Sequence, residues 1–165
     1  MKTQILNHQQ VLQILKRMAF QIVERNFDAK EIVIAHIAGQ GKAVADLLEK
    51  FLVEITKQKI VRLAIEVEKA QPSSESVKLE TKIKFKDVSP VVLVDDVLNS
   101  GRTMMYAMLP FIERKVASIQ IAVLVDRSYK NFPLEANFIG TSLSTTLQEH
   151  VSVVYQKGKI SVFLE

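Results

Sequence analysis

Val91-Val92-Leu93-Val94-Asp95-Asp96-Val97-Leu98-Asn99-Ser100-Gly101-Arg102-Thr103 is the stretch that decides the fold. Its four leading apolar residues read as a buried strand over 91–94. The strand ends in Asp95-Asp96, adjacent carboxylates that repel each other and need a cation or hydroxyl donors nearby. A helix is predicted over 104–114. Between the two, Gly101 permits backbone geometry and a close approach that a side chain would block. The free N–H groups and positive dipole end of the coming helix favour an anion. Ser100 and Thr103 add hydroxyls. On the bare pattern two readings stand level: a cradle for a phosphate, and a capped helix after a strand with surface acids.

On either side of this stretch, helices alternate with apolar strands. Val11, Leu12, Leu15, Met18, Ala19, Ile22 and Val23 recur at spacings of three and four, one face of a helix over 8–26. Asn7 and Gln10 are spaced as a capping box before it. A buried strand is predicted at 31–37, a turn at 38–41 and a second helix at 42–53. Residues 61–68 and 77–86 alternate apolar and charged positions around a breaker-rich loop at 71–76, which predicts a long β-hairpin. A further buried strand is expected at 118–125, with short strands at 151–155 and 160–164. This order makes an α/β fold, a parallel sheet flanked by helices on both faces. Ligands of such sheets sit at the carboxyl ends of strands, which selects the loops 38–41, 95–103 and 126–133.

Composition narrows the chemistry. The length of 165 residues fits one domain over 1–165, with 48% hydrophobic and 24% charged residues. The absence of cysteine excludes disulfides, thiolate metal sites and a cysteine nucleophile. Neither a signal-peptide core nor a transmembrane-length run is legible, so a cytoplasmic protein with no membrane association is expected. The net charge of +4 favours a polyanionic partner only modestly. Lys78, Lys82, Lys84 and Lys86 read as a solvated hairpin face, with an RNA-contacting face as the lesser reading. Gly41-Lys42 fails as a Walker loop, because His36 stands where the first glycine belongs and no hydroxyl residue follows Lys42. His8, His36 and His150 lack metal-ligand spacing, and no nucleophile elbow supports Ser-His-Asp chemistry.

The 91–103 stretch resembles the phosphoribosyl-diphosphate signature of the type I phosphoribosyltransferases: a hydrophobic strand, two acids, then a loop of small residues. The segment Ser118-Ile119 through Thr145-Thr146 is similar to the corresponding stretch of the bacterial bifunctional pyrimidine-operon regulators that are also uracil phosphoribosyltransferases, as are the order and spacing of 5–26 and 32–37. The likeness covers most of the chain and is weakest at 54–86. It implies a parallel sheet flanked by helices, with a long β-hairpin and a small hood. It gives Asp95 and Asp96 the ribose hydroxyls, and Leu98, Asn99, Ser100, Gly101, Arg102 and Thr103 the 5′-phosphate. Ala38, Gly39, Gln40 and Gly41 would form the pyrophosphate loop. Asp126 and Arg127 would stand beside the base, with Ile139 and Gly140 in the hood. Mg²⁺ on the diphosphate and ribose oxygens is implied, approached by Asp95 and Asp96 only through the ligand. Phosphoribosyl diphosphate, a nucleobase or nucleotide, and a second copy of the chain in a homodimer are the implied partners.

Two positions depart from that pattern, both on the leaving-group side. The regulators carry an arginine before the glycine of the 38–41 turn, where Gln40 stands here and Lys42 is a neighbouring substitute. Their hairpin carries an Arg-Asp pair where this chain has Glu66-Val67-Glu68-Lys69. Asn99 replaces the aspartate that serves purine-salvage members as a general base, and an amide cannot accept that proton. A pyrimidine-type transferase, forming UMP from uracil, is therefore the first expectation. A weakly catalytic or non-catalytic nucleotide sensor that binds pyrimidine-gene RNA is the second. An interaction module with a vestigial site is the third.

Overall fold

The structure is a computed structural model that describes residues 2–80 and 84–165. In chain order its elements are β1 (Thr3–Leu6), α1 (His8–Arg25), β2 (Glu31–Ile37), α2 (Gly41–Ile55), β3 (Lys59–Glu66), β4 (Lys78–Leu79), β5 (Val91–Leu98), α3 (Arg102–Ile112), β6 (Ile119–Arg127), β7 (Phe138–Leu143), β8 (Val151–Gln156) and β9 (Lys159–Leu164). The main sheet runs β4-β3-β2-β5-β6-β7, parallel throughout except for β4. A small antiparallel sheet, β1-β9-β8, stands apart from it.

Every residue of β2 is buried, as its unbroken apolar run requires of a central parallel strand. One face of the sheet packs Val92, Val94, Ala122 and Leu124 against Leu15, Met18 and Ile22 of α1 and Leu48 and Leu52 of α2. The other face packs Val33, Leu63, Leu93 and Val123 against Met104, Ala107 and Phe111 of α3. This is the helix-flanked parallel sheet expected. Asn7 caps α1 as read: its side chain accepts from the Gln10 amide at 3.0 Å, and Gln10 Oε1 accepts from the Asn7 amide at 2.9 Å.

Three expectations are corrected. β5 continues to Leu98 in parallel register with β6, pairing Asp95 with Val123 and Leu98 with Asp126, so the acid pair lies inside the strand. The second strand of the hairpin does not include residues 84–86; among the described residues the hairpin pairs Ile65 with Leu79 and Glu66 with Lys78, and the Glu80 amide donates to the Ala64 carbonyl in the same register at 3.1 Å. Phe85 leaves that ladder because a better apolar partner exists: it is buried against Phe111, 6.1 Å between ring centroids, with the Arg114 guanidinium 4.2 Å from its ring. Lys82 and Ile83 of the anticipated second strand lie outside the described residues. Finally, β1 and β7 form where no strand was anticipated, and β7 includes Ile139 and Gly140.

Candidate active site

The carboxyl ends of β2 and β5 open into a cleft of about 380 Å³ between the main sheet and the small sheet. Gln40, Asp95, Asp96, Leu98, Asn99, Ser100, Gly101, Arg102 and Thr103 all line it, so the acids and the small-residue loop meet in one cavity. Gly101 adopts φ 87°, the left-handed region, just before α3. This conformation turns the Ser100 carbonyl away from the cleft, where it accepts from the amides of Asn131 and Phe132 at 3.0 and 3.1 Å. Among the described residues, the backbone amides of Ser100, Gly101, Thr103 and Met104 donate to no protein acceptor. No side chain caps α3. Four unfilled donors at a helix start form an anion cradle.

Asp95 is buried and Asp96 half-buried. Asp95 Oδ1 accepts from the Asp96 amide at 2.9 Å. Burial, and then the charge of Asp96, push the Asp95 carboxyl well above the usual carboxylate range, with Lys69 opposing. Gly41 explains how α2 comes so close: a Cβ there would lie 2.9 Å from Asp95 Oδ1 and 3.2 Å from the Val94 carbonyl. Among the described residues, no group of three or more acidic or histidine side chains converges to hold a metal by itself. An acid pair facing a phosphate cradle instead suits Mg²⁺ delivered on substrate oxygens.

The 38–41 turn is built differently. No side chain caps α2; the amides of Lys42 and Ala43 donate to the carbonyls of Gly39 and Gln40, both at 3.1 Å, while among the described residues those of Gly39, Gln40 and Gly41 donate to no protein acceptor. Lys42 does not reach the cleft: its Nζ pairs with Asp46 at 2.6 Å. Besides Arg102, the cleft is lined by the cation Lys69, whose Nζ lies 3.8 Å from where a side chain on Gly39 would begin. Ala38 faces a neighbouring depression rimmed by Glu66, Glu68 and Glu75.

Beside the cleft, Arg127 is a buried strut. Its Nη1 donates to Asn99 Oδ1 at 2.9 Å, its Nε and Nη2 to Thr145 Oγ1 at 2.9 and 2.7 Å, and Nη2 also to the carbonyls of Thr146 and Glu149. It thereby ties the small-residue loop to the segment leading into β8. Asp126 pairs with Lys130 and does not line the cleft. Ile139 and Gly140 are sheet positions rather than a hood. Their carbonyls accept from Arg17 of α1 at 3.1 and 2.7 Å, and a Cβ on Gly140 would stand 2.3 Å from the Leu124 carbonyl. The wall over the cleft comes instead from His150, Val151, Ser152 and Val153. Sequence reasoning had β8 as a strand but no signal of where the small sheet would sit. Lys69 was legible only as part of an acidic run.

A family model described as "Phosphoribosyl transferase domain" matches residues 1–156. Among curated proteins, the chain is 32% identical to the "Bifunctional protein PyrR" of Citrifermentans bemidjiense, covering 94% of this chain and 92% of that one. It is 30% identical to the protein of the same name from Clostridioides difficile, covering 92% and 90%. Among solved structures, the fold matches the hypoxanthine phosphoribosyltransferase of Trypanosoma cruzi with a TM-score of 0.78 at 15% identity, covering 97% of this chain and 95% of that chain. A hypoxanthine-guanine phosphoribosyltransferase from Bacillus anthracis matches at TM-score 0.71 and 19% identity, covering 96% and 95%.

Proposed function

We infer, since this chain belongs to the phosphoribosyltransferase family and is an enzyme of that kind, that it moves the phosphoribosyl group of phosphoribosyl diphosphate to a pyrimidine-type base. Uracil is the base proposed, with UMP and pyrophosphate as products. The observation that carries this reading is the set of unfilled amides at Ser100, Gly101, Thr103 and Met104, residues that line the same cleft as Asp95 and Asp96. In it, Leu98 through Thr103 hold the 5′-phosphate and the two acids hold the ribose hydroxyls. The 38–41 turn and Lys69 take the diphosphate, Lys69 serving in place of the arginine missing at Gln40. Mg²⁺ on the diphosphate would neutralise charge on the leaving group. The protein's own contribution is positioning, together with fixed donors aimed at the two phosphate groups.

Asn99 supports the pyrimidine assignment. Its Oδ1 is engaged by Arg127, and an amide offers no general base for a purine ring nitrogen. The decisive experiment incubates the protein with phosphoribosyl diphosphate, Mg²⁺ and, separately, uracil, hypoxanthine and guanine. UMP formation is expected, and the absence of product with every base removes the reading.

A second reading, a nucleotide-sensing RNA-binding regulator acting as a homodimer, is favoured by the uncharged Gln40 in the 38–41 turn, by Glu66 and Glu68 where the regulators carry an Arg-Asp pair, and by the net charge of +4. It predicts RNA binding that depends on nucleotide and weakens steeply with salt. Gel shifts with pyrimidine-leader RNA across a salt series test it, and binding that ignores nucleotide counts against it. Among the described residues, no helix is long and apolar enough to cross a membrane.

A further inference from the structure

A second cavity, of about 540 Å³, lies at the opposite end of the main sheet, where β2, β5 and β6 begin. Strand rise puts it roughly 20 Å from the acid pair, and it shares no residue with the cleft. Its walls are apolar at Ala29, Val88, Pro90 and Ala117, and Val88 is 70% exposed there, a large aliphatic side chain left to water. Its floor is polar but fully occupied. Asn26 and Gln120 are buried and exchange amide hydrogen bonds at 2.9 and 2.8 Å. Glu31 accepts from Lys59 Nζ, the Lys86 amide and Ser89 Oγ, each at 2.8 Å. Glu31 therefore presents no unbalanced negative charge.

The rim is different. Arg25, Lys30 and Lys86 line the opening, and among the described residues none of their side chains makes an ion pair or hydrogen bond. Asp28 is the one acid beside them that is not already neutralised. Three idle cations over apolar walls select a ligand with a negative head and a flat apolar body. The volume falls within the range of small-molecule sites, which spans roughly 300–1,000 Å³. We propose that this cavity binds a small aromatic or heteroaromatic organic anion, a phosphate or carboxylate ester or acid whose ring lies against Val88 and Pro90 and whose charge meets Arg25, Lys30 and Lys86. The assignment is independent of the reaction in the cleft.

The test is amide NMR of the full chain titrated with 1-naphthyl phosphate, 1-naphthoate and neutral 1-naphthol. Both anions are expected to give saturable shifts at Ala29, Ser89, Ala117 and Ser118, with naphthol weaker by about tenfold or more. Comparison of the two anions decides between a phosphate and a carboxylate head. The exposed pair Lys30→Glu with Lys86→Glu is expected to weaken the anions about tenfold and leave naphthol unchanged. Ala117→Phe, also at the surface, is expected to abolish binding of all three by filling the cavity. Equal affinity for naphthol, shifts confined to residues 95–104, or no saturable shift would each overturn the proposal.

Discussion

The two halves of the cleft both present a helix start without a capping side chain and with unfilled backbone amides, yet they differ in the charge around them. At α3, Gly101 in the left-handed conformation turns the preceding carbonyl outward and leaves four amides unfilled. At α2, the amides of Lys42 and Ala43 donate to Gly39 and Gln40, those of Gly39, Gln40 and Gly41 stay unfilled among the described residues, Lys42 is tied to Asp46, and three glutamates with Lys78 rim a neighbouring depression. Far from the cleft, α1 carries a complete capping box. The chain thus closes the start of α1 and leaves unfilled amides at the starts of both α2 and α3, three at the first and four at the second among the described residues. If, as proposed, α3 takes the 5′-phosphate and the 38–41 turn the diphosphate, the two can be weakened separately, because different helix ends supply them.

The largest effect should come from removing the feature both halves share. Asp95→Asn with Asp96→Asn is expected to lower kcat/KM for phosphoribosyl diphosphate by at least about 100-fold, measured in the uracil assay. Asp95→Asn alone should also raise Tm. A carboxyl whose folded pKa is raised loses stability as pH climbs from the ordinary carboxylate range towards that higher value. The gain in Tm should therefore be greater at pH 8 than at pH 4, and equal gains at both would show that Asp95 is not held in its neutral form. Next, Gly101→Val would force a β-branched residue into φ 87° against Leu134, 3.2 Å from the new Cβ. A cost of about 2 kcal/mol in chemical denaturation is expected, together with weaker UMP binding by calorimetry.

Lys69→Ala should separate the halves. We expect KM for phosphoribosyl diphosphate to rise about tenfold while the Kd for UMP stays the same. A matching loss in UMP affinity would mean that Lys69 serves the 5′-phosphate side. The smallest effect is assigned to Glu68→Gln, which removes one like charge near the diphosphate and should tighten its binding about twofold.

Periodicity made the sheet and its two helical layers legible, because β2, β5 and β6 are buried on both faces and α1 and α2 on one. The phosphate loop was legible because Gly101 and its hydroxyl neighbours are contiguous. What stayed hidden depended on contacts between residues far apart in sequence. Phe85 obeys a strand alternation but is claimed by Phe111. Arg127 looks like a base contact and instead binds four residues from Asn99 to Glu149. Lys69 is one cation among glutamates until folding places its ammonium above Gly39. Val151 and Val153 alternate as any strand would, and nothing in them says which cleft they cover.

Arg17 bears on how copies of this chain can meet. By donating to the carbonyls of Ile139 and Gly140 it ties the last strand of the main sheet, β7, to α1. Peptide groups engaged in this way are withdrawn from the row that could template edge-to-edge pairing between copies.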